Sequence, residues 1–265
     1  DSIQRWLRGS FGSPVRFFDE ITSTNDEAMR WATLEAAPQG SIVVTDHQVT
    51  GRGRWGRTWF SQPGTAIQFS LILRPSVPVD VLGLLTTALG LACAEGVEIA
   101  AGIKCAVKWP NDVVVDGRKL AGILVESRVS GHVMDIAIAG MGINVYPPTG
   151  DVPDDIAGRA TSVLAEARAA ATGKEPSRAE ILGWVLDSFG RLYERVGSGE
   201  GAAELIERAT ARSDVIGHDV VIRLADGSTL EGRAERILPS GALEVAEDDR
   251  HRAVHVGEVE QVRTA

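Results

Sequence analysis

The chain is poor in lysine. Its 27 basic residues include only four lysines, Lys104, Lys108, Lys119 and Lys174, and arginine supplies the rest. Where arginine carries nearly all the positive charge, a lysine marks a place that needs a compact, titratable ammonium. Cysteine is scarcer still. Cys93 and Cys105 lack C-x-x-C spacing, which argues against a disulfide framework or a zinc site. The five histidines, His47, His132, His218, His251 and His255, show no metal-ligand spacing. No Ser-His-Asp or Cys-His arrangement appears, so acyl transfer through a covalent enzyme intermediate has no evident nucleophile. A surplus of positive charge is also missing: the net charge of −9 speaks against a general nucleic-acid-binding surface. No signal peptide opens the sequence. Its longest apolar helical stretch, residues 81–101, carries Glu95 and Glu98 and reads as a buried helix rather than a membrane span. Cytoplasm is the expected location.

What remains, 44% apolar and 24% charged residues over 265 positions, suits a large domain followed by a small one. The most unusual segment is Gly51-Arg52-Gly53-Arg54-Trp55-Gly56-Arg57. Three glycines let the backbone approach a ligand closely, and three arginines offer planar donor forks for phosphate or carboxylate. The glycines spell G-x-G-x-x-G, yet a dinucleotide fingerprint requires a helix after them. Here Pro63 and Gly64 punctuate the sequence, and a strand-like run at 66–73 follows. A kinase loop also lies between strands, but no H-R-D or D-F-G appears. The segment reads as an anion clamp.

Strands are expected at 15–18, 41–45, 66–73, 113–115, 120–127 and 133–139, with helices opening at Thr22 to Glu27 and spanning 81–99, 161–171, 177–196 and 202–211. Residues 147–158 read as a loop, and the Gly140 to Val145 run reads as a strand ending at a turn. Near Ser213 the texture changes to five or so short strands, the mark of a small β-barrel. The resulting division is 1–212 and 213–265.

A second constellation is Lys108-Trp109-Pro110-Asn111-Asp112, followed across an Asp116-Gly117 turn by Lys119-Leu120-Ala121-Gly122-Ile123-Leu124. Asp-Gly between apolar runs signals a hairpin. Regular pairing about a two-residue turn sets Val115 opposite Arg118 and Asp112 opposite Ala121. Ser23-Thr24-Asn25 has two readings: a capping box formed by Thr24 and Glu27, nearly repeated by Ser23 and Asp26, or a polar cluster whose side chains and free helix N–H groups meet a ligand. Gln48 is either a solvated strand end or a ligand contact.

Taken in order, Ser-Thr-Asn, Gln48 with the glycine–arginine loop, Lys-Trp-Pro-Asn-Asp, Lys-Leu-Ala-Gly-Ile-Leu, Gly-Ile-Asn-Val and a terminal Gly257-Glu258-Val259 resemble the bacterial biotin protein ligases over essentially the whole chain. The resemblance implies an α+β fold: a mixed sheet packed with helices, the class II synthetase-like biotin/lipoate ligase catalytic domain, plus a C-terminal SH3-like β-barrel. It implies ATP-dependent activation of biotin to biotinyl-5′-AMP and transfer to a lysine of a biotin carboxyl carrier domain. Ser23, Thr24, Asn25 and Gln48 then correspond to biotin-binding residues, and Arg52, Gly53 and Arg54 to a loop closing over biotin and adenylate. Lys119 corresponds to the catalytic lysine, with Arg54 retaining the adenylate. Trp55, Arg57, Lys108, Asn111 and Asn144 correspond to nucleotide contacts, with Mg²⁺ near Asn111. The second, adenylate-side loop maps to 147–159, where Arg159 stands in place of an expected aromatic. About fourteen residues precede the first strand, so the form without a DNA-binding repressor module is expected, as a monomer or a ligand-linked homodimer. The alternatives are a lipoate ligase or octanoyl transferase, and a non-catalytic binding protein.

Overall fold

The computed structural model describes residues 4–261 apart from 151, 155, 197, 198 and 249. Its centre is a mixed eight-stranded sheet. The strands are β1 (Val15–Ile21), β2 (Ile42–Gln48), β3 (Ala66–Leu73), β4 (Val77–Pro78), β5 (Ala106–Lys108), β6 (Asp112–Val115), β7 (Arg118–Ser130) and β8 (Val133–Asn144). They run in the order β1-β2-β3-β8-β7-β6-β5, with β4 on the end of β8. Among the described strands only β1 and β2 pair in parallel, across the helix α1 (Thr24–Leu34).

Two periodicities in β3 divide the sheet into faces. Ile67, Phe69, Leu71 and Leu73 join the main core beneath α2 (Leu82–Ala101) and α4 (Arg178–Val196). Two shorter helices, α3 (Val163–Ala169) and α5 (Gly199–Ala211), add Leu164 and Leu205 to that core. On the other face Ile72, with Ile136 and Ile138 of β8, packs under Ala28, Trp31 and Ala32 of α1. The apolar stretch expected to be buried is α2, and 78% of its most apolar window lies inside the protein.

Two expectations change. The Gly140 to Asn144 run does not end a strand at a turn; it continues β8, which extends to Asn144. Close approach by other side chains, rather than a bend, requires those glycines. The β6–β7 hairpin also departs from regular pairing. Its turn is as expected, with Asp116 and Gly117 both at positive φ (49° and 74°) as a type I′ turn demands, and Val115 faces Arg118. A β-bulge then sets Val113 opposite Ala121 and Asp112 opposite Gly122, leaving Leu120 as the extra residue.

The C-terminal strands are β9 (Asp219–Arg223), β10 (Thr229–Ile237), β11 (Leu243–Glu247), β12 (Arg250–Val254) and β13 (Glu258–Gln261). They form an antiparallel sheet in the order β12-β11-β10-β9-β13. Both edge strands, through Val254 and Val259, share one core with Ile222, Leu230 and Val245, so the sheet curls around its own interior. Trp109 completes that core from outside: it is 4% exposed and donates from Nε1 to the Gly241 carbonyl at 2.9 Å. Gly241 lies so close to α2 that a Cβ there would come within 2.2 Å of the Gly83 backbone. Trp109→Ala should therefore lower the unfolding free energy by about 3–5 kcal/mol, as loss of a buried aromatic does. Urea denaturation measures this; a change below 1 kcal/mol would show that Trp109 does not hold the C-terminal sheet.

Candidate functional site

The pocket forms where the sheet face opposite α2 and α4 runs out of side chains. Gln68 of β3, Gly142 of β8, Gly122 of β7, Asp112 of β6 and Lys108 of β5 lie in one row across five strands. The next row holds Ser70, Gly140 and Leu124. Each of the three glycines is fixed by a neighbour. A Cβ at Gly142 would come within 2.4 Å of the Trp59 ring, one at Gly122 within 3.0 Å of it, and one at Gly140 within 2.2 Å of Asn25 Oδ1.

The bulge aims Lys119 into this pocket. Side chains alternate faces along a strand, so Lys119 and Gly122, three residues apart, would look to opposite sides of a regular β7. The extra residue, Leu120, dips into the core instead, and Lys119 and Gly122 share the open face. The backbone of Lys119 is held from the other side. Its N–H donates to the Arg159 carbonyl (2.8 Å), and its carbonyl accepts from Thr161 N–H (2.9 Å) and Asn144 Nδ2 (3.5 Å). The Lys119 ammonium lies 2.7 Å from Asp112 Oδ1 and 5.8 Å from the Trp59 ring centre.

The opposite end of the pocket is a polar relay. Ser23 is the N-cap of α1 and accepts from Asp26 N–H at 3.5 Å, so of the two possible capping boxes the chain uses this one. That frees Thr24 and Asn25, both buried, for other partners. The Thr24 N–H and hydroxyl both donate to Gln48 Oε1, at 2.8 and 3.0 Å. The Ser70 hydroxyl lies 2.7 Å from Thr24 Oγ1 and 2.6 Å from Asn25 Oδ1. Gln48 Nε2 donates to Gln68 Oε1 at 3.0 Å.

The glycine–arginine segment folds as a short loop over this pocket. Gly53 N–H donates to the Arg57 carbonyl (2.7 Å) and Trp59 N–H to the Gly51 carbonyl (2.8 Å). Between them Arg54–Gly56 makes a single 3-10 turn with Trp55 and Gly56 at positive φ, and no long helix follows. Arg52 forms a two-pronged ion pair with Asp26 (2.6 and 2.7 Å), which raises its already high pKa. Arg54 is half-buried, 3.5 Å from Asn111 Oδ1 and 3.4 Å from the Gly257 carbonyl; burial lowers its pKa, against the pull of Glu258 and Asp112. Arg57 pairs with Glu258, so the C-terminal sheet grips the loop.

The pocket wall thus brings together Ser23, Thr24, Asn25, Gln48, Arg52, Gly53, Asn111 and Lys119. Arg54, Trp55, Arg57, Lys108 and Asn144 lie outside that wall: Trp55 is 42% exposed, and Lys108 sits on the row beyond Asp112. Sequence reading missed Trp59, Ser70, Gln68, Asp112 and Glu126. Trp59 carried a signal, since it follows the clamp directly; strand polar residues such as Ser70 carried none. Among the described residues no three His, Cys, Asp or Glu side chains cluster as a metal site.

Residues 17–144 match the model of the biotin/lipoate A/B protein ligase family. The Mycobacterium tuberculosis biotin–[acetyl-CoA-carboxylase] ligase is 32% identical over 99% of this chain and 95% of its own length. The chain belongs to the biotin protein ligase family. The bifunctional ligase/repressor BirA of Bacillus subtilis is 33% identical over 94% of the chain and 74% of its own length. Among solved structures, the Aquifex aeolicus biotin protein ligase in complex with biotin and ATP is similar over 95% of this chain and all of its own, with a TM-score of 0.77 and 27% identity. In this ligase Glu258 anchors the loop from the far sheet, so Glu258→Ala should speed amide exchange at Gly53 and Arg57 severalfold and leave α2 unchanged. Hydrogen-exchange mass spectrometry reads this, and unaltered protection at 52–57 would contradict the anchor.

Proposed function

We propose that the chain activates biotin with ATP to biotinyl-5′-AMP and passes the biotinyl group to one lysine of a biotin carboxyl carrier domain. The observation that carries the residue-level reading is a patch of sheet bared by Gly122, Gly140 and Gly142, with an acceptor-rich relay on one side and Lys119 on the other. Two strand spacings separate Gln68 from Gly122 beside Lys119, about 10 Å, room for a ligand laid across the strands.

In the first step a biotin carboxylate oxygen attacks the ATP α-phosphorus and pyrophosphate leaves. Two anions must approach to bonding distance, and a preorganised cation over the developing charge lowers that barrier. Lys119 occupies this role. Its ammonium is held by Asp112 until an anionic ligand competes for it. Ser23, Thr24, Asn25 and Gln48 hold the ureido ring, and Arg52, Gly53 and Arg54 close over the adenylate. Lys108, Asn111, Arg57, Asn144 and Trp55 serve the nucleotide. Asn111 and Asp112 are adjacent oxygen donors of the kind Mg²⁺ accepts alongside phosphates and water. They would hold the ion that arrives with ATP, and its chemistry there is charge neutralisation of the phosphates. In the second step the carrier amine attacks the acyl carbon and AMP leaves.

Two cysteines buried as free thiols fit a reducing compartment, the cytoplasm. The acidic net charge fits a protein without DNA as partner. The assembly is a monomer or a ligand-linked homodimer.

Incubation with biotin, MgATP and a carrier domain, followed by mass spectrometry, tests this function. The expected result is one biotinyl group on one carrier lysine; no gain, or a gain with lipoate in place of biotin, would overturn it. Arg54→Gly should release adenylate that labels exposed lysines without selection, and labelling still confined to the carrier lysine would exclude Arg54 as the retaining residue.

A further inference from the structure

Glu126 has no part in the reading above, yet it touches both halves of the pocket. It stands on β7 on the same face as Gly122 and Leu124, opposite Ile138 of β8. Its Oε2 accepts from Asn25 Nδ2 at 2.6 Å and lies 3.4 Å from Arg52 Nη2. An ionised carboxylate only accepts hydrogen bonds. With the Leu124 carbonyl, which accepts from the same Nδ2 at 3.3 Å, it admits Asn25 in one orientation, amide nitrogen toward Glu126 and carbonyl oxygen toward Ser70. The flipped amide would set an oxygen against a carboxylate.

The orientation matters because Ser70 has one proton. Asn25 Oδ1 and Thr24 Oγ1 both lie within reach of the Ser70 hydroxyl, while the proton of Thr24 is committed to Gln48. One acceptor of the pair is thus always left open. A buried open acceptor suits a ligand that brings N–H groups, as a cyclic urea does. With Asn25 flipped, an NH₂ would replace one of these acceptors and oppose the ligand's own N–H.

We propose that Glu126 is a positioning residue for ureido recognition: it locks the Asn25 amide so that the pocket presents acceptors to the ligand. The proposal rests on the biotin reading of residues 23–25. Glu126→Gln keeps the size and allows its own NH₂ to face Asn25 Oδ1; it removes the shorter of the two contacts that orient the amide, 2.6 Å against 3.3 Å to the Leu124 carbonyl, and so weakens the lock. In ATP–pyrophosphate exchange this variant should raise KM for biotin about tenfold, with KM for ATP and kcat near those of the unaltered enzyme, the pattern expected when uniform binding is lost. Calorimetric titration with biotin alone should show the same tenfold weakening. A merely structural role would move the ATP terms as well. Asp26→Asn frees the Arg52 fork without touching Asn25, and it should change biotin affinity less than threefold. An unaltered biotin affinity in Glu126→Gln, an equal loss for ATP, or a tenfold loss in Asp26→Asn overturns the proposal. Absence of biotin-dependent exchange in the unaltered enzyme would instead overturn the biotin reading on which it rests.

Discussion

The site depends on one extra residue in a hairpin. Without Leu120 as a bulge, β7 would present either Lys119 or Gly122 to the pocket face, never both. The ammonium and the open sheet floor on which a ligand rests would then lie on opposite sides of the sheet. The bulge costs ladder hydrogen bonds between β6 and β7, and the chain offsets this with residues 159–161, which bind the Lys119 backbone from the other side. The same segment ends the loop at 147–159, so the proposed adenylate-side loop and the proposed catalytic lysine share a backbone connection.

The glycines complete the arrangement. Gly122, Gly140 and Gly142 leave a stretch of floor that Trp59 and Asn25 approach more closely than any Cβ would allow. The site is therefore built largely from backbone and from residues reaching over it. The C-terminal segment is joined to this machinery at several points: Trp109 fills its core from the segment just before Asn111, Glu258 holds Arg57 of the loop, and the Gly257 carbonyl faces Arg54.

Much of this was legible in the sequence. The strand-like run at 66–73 and the long apolar stretch at 81–99 located β3 and α2 to within two residues, and the Asp-Gly turn located the hairpin. Arg52 stood out in an unusual cluster of glycine and arginine, whereas the Ser-Thr-Asn run and Lys119 took their proposed roles from the family resemblance. The bulge could not, since Leu120 looks like any alternating strand residue, and its displacement is decided by tertiary packing against α2. Gly140 and Gly142 resembled a turn for the same reason: nothing local distinguishes a glycine that bends the chain from one that lets a distant indole approach. Trp109 sits in sequence between the proposed nucleotide contacts Lys108 and Asn111, but its ring serves the second sheet. Glu126 and Ser70, polar residues on otherwise apolar strands, become meaningful only when Asn25 is placed between them.

The central claim is that the bulge delivers Lys119 to the place where two anions must meet. The most direct test is biotin-dependent ATP–pyrophosphate exchange by Lys119→Ala. Loss of one preorganised charge predicts a fall in kcat of about 10²–10³, with biotin binding in the absence of ATP largely retained. Exchange within a few-fold of the unaltered enzyme would contradict the account.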